Sequence, residues 1–262
     1  MLNIDLNGQV AIVTGSTQGI GAGVAKVLAR AGCHVAGCGQ RAIDTRGAQE
    51  FVNSVEKEGR DALYKSVDVK SKEAINDFVL DVYNKFGKID ILVSNAGVNV
   101  FKGADKCSEE EWQFNMELNL KSHWIIAKSS RPYLAKSKNG VILIMTSNHA
   151  YSTIPGCFPY NITKTALVGM VRSIAIEWGP DIRVVGVAPG FIETEGTQSW
   201  FDKFDDHEKE KQNTIKRHPA GKLGSVDEVG AMCAYLASDF AGFITGTTYL
   251  MDGGRSALMQ DK

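Results

Sequence analysis

What most constrains this chain is an alternation of short apolar runs with longer amphipathic stretches. Runs at residues 10–13, 35–38, 62–67, 89–93, 141–145, 182–187 and 247–251 read as strands. Stretches at 20–31, 47–57, 73–85, 109–134, 160–178 and 226–237 read as helices. Strands separated by helical patterns imply βαβ units and therefore a parallel sheet. The strand runs are apolar throughout rather than alternating, as expected for strands buried on both faces. The expected architecture is a doubly wound parallel sheet of about seven strands with helices on both faces, one α/β domain over residues 1–262. Residues 193–217 break the rhythm: the segment is polar and charge-rich, yet carries Trp200, Phe201 and Phe204. It reads as an insertion with helical character of its own.

Composition excludes several classes of function. The chain has 29 basic and 30 acidic residues, a net charge of −1. So balanced a surface lacks the cationic footprint that binding to nucleic-acid phosphates requires. The five cysteines are odd in number and form no CxxC pair, so neither a disulfide framework nor a zinc site is signalled. The N-terminus has no basic region followed by an apolar one, and no apolar run approaches the ~20 residues of a membrane span. Reduced thiols in a cytoplasmic protein are the expectation.

The first strand runs into Thr14-Gly15-Ser16-Thr17-Gln18-Gly19-Ile20-Gly21, within which a helix begins. Gly15 can turn the chain sharply, Gly19 can let backbone approach a pyrophosphate, and Gly21 can pack the helix on the strand. Amides at the helix start then face an anion. A glycine-rich loop alone is a weak signal, and a structural turn would also explain it.

The spacing TGxxxGxG resembles that of the short-chain dehydrogenase/reductase family, and further motifs extend the resemblance over nearly the whole chain. Asp68, with Val69 beside it, stands where the family holds adenine. Ser94-Asn95-Ala96-Gly97 resembles the family's NNAG, with serine for the first asparagine. Pro189-Gly190, with Ile192 and Thr194, resembles the PG motif that contacts the nicotinamide carboxamide. Tyr160-Asn161-Ile162-Thr163-Lys164 is a YxxxK motif, whose two residues share a helix face at i and i+4. YxxxK alone is common by chance, and a surface tyrosine over a lysine is its bland reading. Ser147 lies thirteen positions upstream, at the family's spacing, and Asn119 matches the fourth catalytic position.

The resemblance implies a Rossmann-type fold, a nicotinamide dinucleotide and hydride transfer to or from a carbonyl or secondary alcohol. Tyr160 would be the acid/base, and Lys164 would favour its phenolate and hold the ribose. Ser147 would hold the substrate oxygen, and Asn119 a water leading from Lys164 to solvent. Lowering a phenol from its usual pKa of about 10 to about 7 takes roughly 4 kcal/mol of preference for the phenolate. NADP is favoured as cofactor because Gly39 stands where NAD enzymes carry an acid and Arg41 can pair with a 2′-phosphate, with Gln40 between them. NAD stays open, because Gln18 and the register of Arg41 depart from the usual NADP pattern. The family also implies a homotetramer.

Other residues carry less. His149 reads equally as a substrate contact or a loop residue, and Cys157 as inert packing rather than pocket lining. Trp200, Phe201 and Phe204 are expected to face the site from a lid over residues 193–217. With His149, Asn148 and Asn99 in the pocket, the expected substrate is a small polyol, sugar or sugar acid. The alternatives are a β-ketoacyl thioester reductase and a non-catalytic dinucleotide sensor.

Overall fold

The computed structural model describes residues 4–259. Its sheet contains β1 (Val10–Thr14), β2 (His34–Gly39), β3 (Ala62–Ser66), β4 (Ile91–Ser94), β5 (Gly140–Met145), β6 (Ile182–Pro189) and β7 (Thr248–Met251). All seven are parallel, in the order β3-β2-β1-β4-β5-β6-β7. The central strands β1, β4, β5 and β6 are buried along their whole length, which is why they read as continuous apolar runs.

The helices are α1 (Gly19–Arg30), α2 (Arg46–Glu56), α3 (Lys72–Phe86), α4 (Glu109–Met116), α5 (Ser122–Leu134), α6 (Tyr160–Trp178), α7 (Glu195–Phe201), α8 (His207–Lys216) and α9 (Val226–Ala237). Successive strand residues point to opposite faces and so feed two cores. Ala11 and Val13 join the layer of α1, α2 and α9, whereas Val10 and Ile12 join that of α3, α5 and α6. The pair α1/α9 packs closely because both contribute glycine at the contact. A Cβ on Gly23 would come 2.4 Å from Val226, and one on Gly230 2.6 Å from Val27.

The helix expected over 109–134 is interrupted. A π turn, Glu117–Lys121, separates α4 from α5 and carries Asn119. Such turns often occur at functional sites. Periodicity does not reveal it, because one inserted residue leaves the apolar stripe on either side intact.

Strand order reverses about β1, whose neighbours are β2 and β4. In doubly wound sheets, ligands bind outside the carboxyl ends of the strands at this switch point. The loops after β1, β4, β5 and β6 converge there.

Candidate active site

The loop after β1 is held from β4. Thr14 Oγ1 accepts the backbone N–H groups of Asn95 and Ala96, each at 2.9 Å. The Asn95 amide donates to Thr14 O at 2.9 Å and to Gly15 O at 3.4 Å. Gly15 has φ +69°, and a Cβ on Gly21 would lie 2.2 Å from Gly15 O, so only glycine fits either position. Helix α1 starts at Gln18 without a side-chain cap and without an acid in its first turn. By contrast, α4 and α9 begin with a serine–glutamate capping box. The free amides of α1 therefore form an anion site. Ser16 Oγ is buried there without a partner. These features fit a dinucleotide pyrophosphate.

The far end of this groove lies between β2 and α2. Gly39 ends β2 and offers no carboxylate. Arg41 donates to the Gln18 side chain, and Tyr64 donates to Arg41 O at 2.7 Å. Helix α2 also begins without a side-chain cap or a first-turn acid. At Asp68, burial pushes the carboxyl pKa up, but hydrogen bonds from Lys70 outweigh it and hold the group below its usual value. Val69 is buried beside it.

Ser147 follows β5 as the cap of a short turn, Asn148–Ala150, while Tyr160 opens α6 and Lys164 stands one turn further on. All three side chains are nearly sealed from solvent. Lys164 Nζ lies 5.5 Å from the Tyr160 ring centroid and donates to Met145 O at 3.0 Å. Burial pushes the Tyr160 phenol up to about 12, against a hydrogen bond from Ser147 that lowers it. Burial likewise brings Lys164 down to about 8. At neutral pH the pair is therefore a protonated phenol beside an ammonium, suited to giving a proton to a substrate oxygen.

Asn119 is fully buried. Its amide donates to Val98 O at 2.9 Å and to Asn115 Oδ1 at 2.8 Å, and its Oδ1 accepts Val98 N–H at 2.9 Å. Both amide protons are thus used to anchor the turn at residues 95–98. A Cβ on Gly97 would stand 2.6 Å from Asn119 Oδ1. Asn115 continues the chain of bonds to Pro159 O at 3.0 Å, immediately before Tyr160. Sequence reasoning missed Asn115, whose only signal was its place one turn before Asn119. It also missed His123, whose Nδ1 pairs with Ser94 Oγ at 2.7 Å. Burial and the Lys164 charge bring His123 down to about 3, so it stays neutral behind the lysine. The serine in place of the first asparagine at position 94 was the available hint.

At the mouth, Phe101 packs 5.2 Å from the Tyr160 ring and 5.7 Å from that of His149. No local pattern singled out Phe101, which reaches the site through a bridge to Pro159. His149 bonds Thr153 Oγ1 at 3.0 Å, and burial holds its pKa below the usual histidine value. Cys157 is buried and burial raises its pKa, so it packs as a thiol. Asn148 accepts the Ser147 hydroxyl at 3.3 Å, and Asn99 is exposed.

Pro189, Gly190 and Ile192 lead from β6 into the segment over 193–217, and Thr194 caps α7. The aromatic residues expected to face the site have a core of their own. Phe201 is 2% exposed, and Trp200 lies 5.1 Å from Phe201, 4.8 Å from Phe204 and 5.4 Å from Phe191. Phe191, unremarkable in sequence, supplies the base of that cluster.

Comparison with known proteins agrees with this fold. A family model described as enoyl-(acyl carrier protein) reductase matches residues 15–256. The chain is 36% identical to a dehydrogenase/reductase SDR family member 4 of Caenorhabditis elegans, covering 95% of this chain and 96% of that one. It is 34% identical to a 2-dehydro-3-deoxy-D-gluconate 5-dehydrogenase of Bacillus subtilis, covering 95% of each. Among solved structures, the ligand-free aldohexose dehydrogenase of Thermoplasma acidophilum superposes with a TM-score of 0.87 at 26% identity, covering 98% of this chain and 97% of that one.

Proposed function

This chain belongs to the short-chain dehydrogenase/reductase family of oxidoreductases, and from that premise we propose that it moves a hydride between NADP and the carbonyl or secondary alcohol of a small polyol, sugar or sugar acid. The family implies a nicotinamide dinucleotide. The preference for NADP rests on the absent carboxylate at Gly39, on Arg41 and on the uncapped start of α2.

The observation that carries the reading is the buried trio of Ser147, Tyr160 and Lys164 beside a free helix N-terminus at the sheet's switch point. The nicotinamide, when bound, supplies or accepts the hydride. Gly15, Ser16, Thr17, Gln18, Gly19, Ile20 and Gly21 would hold its pyrophosphate. Gln40, Arg41, Asp68 and Val69 would hold the adenosine half, and Asn95, Ala96, Gly97, Pro189, Gly190, Ile192 and Thr194 the other. Tyr160 gives a proton to the substrate oxygen in reduction and takes it back in oxidation. The Ser147 hydroxyl donates to that same oxygen and stabilises its developing charge. The Lys164 ammonium favours the phenolate left on Tyr160, and its remaining N–H groups can hold a ribose. Asn119 and Asn115 position the turn at 95–98 and the start of α6, so they act through their neighbours.

A polar substrate is favoured by His149, Asn148 and Asn99 at the mouth, since leaving such groups unpaired costs about 1–3 kcal/mol each. The relatives that act on a deoxygluconate and on aldohexoses point the same way. The exposed rings and chains of Phe101 and Ile154 favour a β-ketoacyl thioester as a second reading. We further propose a lid over residues 193–217 with Trp200 toward the substrate, one domain for the whole chain, a homotetrameric assembly and a cytoplasmic setting. The five free thiols, four of them buried, suit a reducing compartment.

The deciding test is Tyr160→Phe, which keeps the ring and removes the transferable proton. Turnover should fall about 10²- to 10⁴-fold while dinucleotide affinity is unchanged. Wild-type turnover in this variant would sink the assignment.

A further inference from the structure

Buried polar atoms without partners are rare in a folded protein, and each one calls for a reason. Eleven side-chain atoms are in this state among the described residues, and four of them fall in one seam: Thr214 Oγ1, His218 Nε2, Arg255 Nη1 and Ser256 Oγ. The seam lies where the C-terminal end of α8 meets the turn after β7. His218 packs 3.4 Å from the Cβ position of Gly253, Pro219 lies 3.1 Å from that of Gly254, and Ala220 N–H donates to Gly253 O at 3.0 Å.

Arg255 is the odd member. Its nearest acid in the chain, Asp252, is committed to backbone: the two carboxylate oxygens accept Gly254 N–H at 3.0 Å and Ser256 N–H at 2.7 Å. Glu210 pairs instead with Arg217, 3.7 Å away. Among the described residues Arg255 has no ion-pair partner, and burial and the like charge of Arg217 penalise its cation more than the charges of Asp252 and Glu210 favour it. A guanidinium kept under those penalties is built for an anion from outside the chain. His218 is 3% exposed, and its Nδ1 lies 2.7 Å from Thr214 O. A carbonyl only accepts, so Nδ1 carries the hydrogen, and in the neutral ring Nε2 presents a lone pair. That lone pair suits a hydroxyl donor.

The seam is connected to the reacting groups through Gly190 and His149. Gly190 abuts Asp252, the Arg255 charge reaches His149, and the His149 ring stands 6.0 Å from that of Tyr160.

We propose that Arg255 and His218 form a subsite for the carboxylate and an adjacent hydroxyl of the substrate, which makes the substrate a hydroxylated carboxylic acid with its reacting carbon at Tyr160. This rests on the reading of the protein as a dehydrogenase of small polyhydroxylated compounds and narrows it to the acids. Arg255 takes the carboxylate through its fork, Thr214 and Ser256 supply hydroxyls beside it, and His218 accepts from the hydroxyl next to the carboxylate. Neutral sugars and polyols leave the cation unpaired.

The test compares aldonates and ketoaldonates with the neutral aldoses, ketoses and polyols of equal carbon number. Wild-type kcat/KM should favour the best acid by about tenfold or more, the ratio expected from a charged hydrogen-bond pair. Arg255→Gln should erase that ratio by raising KM for the acid alone, with kcat, melting temperature and dinucleotide affinity held. Arg255→Lys keeps the charge without the fork and should retain part of the ratio. A wild-type preference for the neutral compounds overturns the proposal. So does an Arg255→Gln loss shared equally by acids and neutral compounds, or an Arg255→Lys variant whose KM for the acid does not rise should the glutamine variant not fold. If no polyhydroxylated compound turns over at all, the dehydrogenase reading of the substrate fails, and binding decides the subsite separately. Malonate, against an equal ionic strength of chloride, should raise the melting temperature of the wild type but not that of Arg255→Gln. Equal shifts, or none in the wild type, overturn the subsite.

Discussion

Tyr160 and Lys164 illustrate how burial divides labour between two residues. Burial disfavours the charged form of each, raising the phenol to about 12 and lowering the ammonium to about 8. The phenol therefore remains a proton donor across the neutral range, whereas the lysine loses its charge as pH rises through about 8. Reductive kcat/KM should be level near pH 7 and decline above pH 8, and Lys164→Met should remove that break along with most activity. A reductive kcat/KM that climbs above pH 8 contradicts the assignment. The proposed preference for NADP can be tested at one of the positions it rests on. A Cβ at Gly39 would meet Tyr64 at 3.4 Å and Thr17 at 3.6 Å, so an aspartate fits there. Gly39→Asp should move the NAD to NADP ratio of kcat/KM by about tenfold or more toward NAD, because it repels a 2′-phosphate and accepts from a 2′-hydroxyl. An unchanged ratio would place the 2′-substituent elsewhere.

At the scale of elements, α7 and the loops on either side of it share a small core of their own, and an ion pair ties α8 to them. Phe201 is buried among Phe191, Trp200 and Phe204, and Lys211 pairs with Glu193 at 3.0 Å. Phe201→Ala removes the centre of that cluster, a change that in cores costs about 3–5 kcal/mol. The loss falls on the segment proposed as a lid, so KM for substrate should rise several-fold while the main melting transition and dinucleotide affinity move little. An unchanged KM would show that the segment does not cover the site. The π turn between α4 and α5 is the other informative element. Its local geometry lets Asn119 reach Val98 and Asn115 together, and Asn115 reach Pro159. The regular helix expected from the apolar pattern would not present the same set.

For the whole molecule, two groups of exposed large apolar side chains lie on elements away from the mouth of the site. Phe243, Ile176, Phe240 and Leu250 lie toward the β7 edge of the sheet, with Phe243 and Ile176 almost wholly in solvent. Phe114 and Trp124 project from α4 and α5. Patches of this kind mark association surfaces, and two independent isologous contacts close a tetramer. Light scattering at micromolar concentration should therefore give four times the chain mass, and the double change Phe243→Asp with Leu250→Arg should give a dimer. A monomer in the wild type contradicts the assembly. Among the described residues no helix is long and apolar enough to cross a membrane.

The sequence by itself determined the parallel sheet, because strands buried on both faces must be apolar along their length and the intervening helices must be amphipathic. It also marked the glycine loop and the spacing of Ser147, Tyr160 and Lys164, since a tight turn and an i, i+4 pair are local facts. Tertiary structure alone decided what those residues touch. Asn115 meets Pro159 forty-four positions away, Ser94 meets His123 across twenty-nine, and Phe101 reaches the Tyr160 ring through a loop without periodicity. That Arg255 has no ion-pair partner among the described residues depends on which acids are already taken by backbone or by Arg217, a property of packing that no one-dimensional pattern encodes.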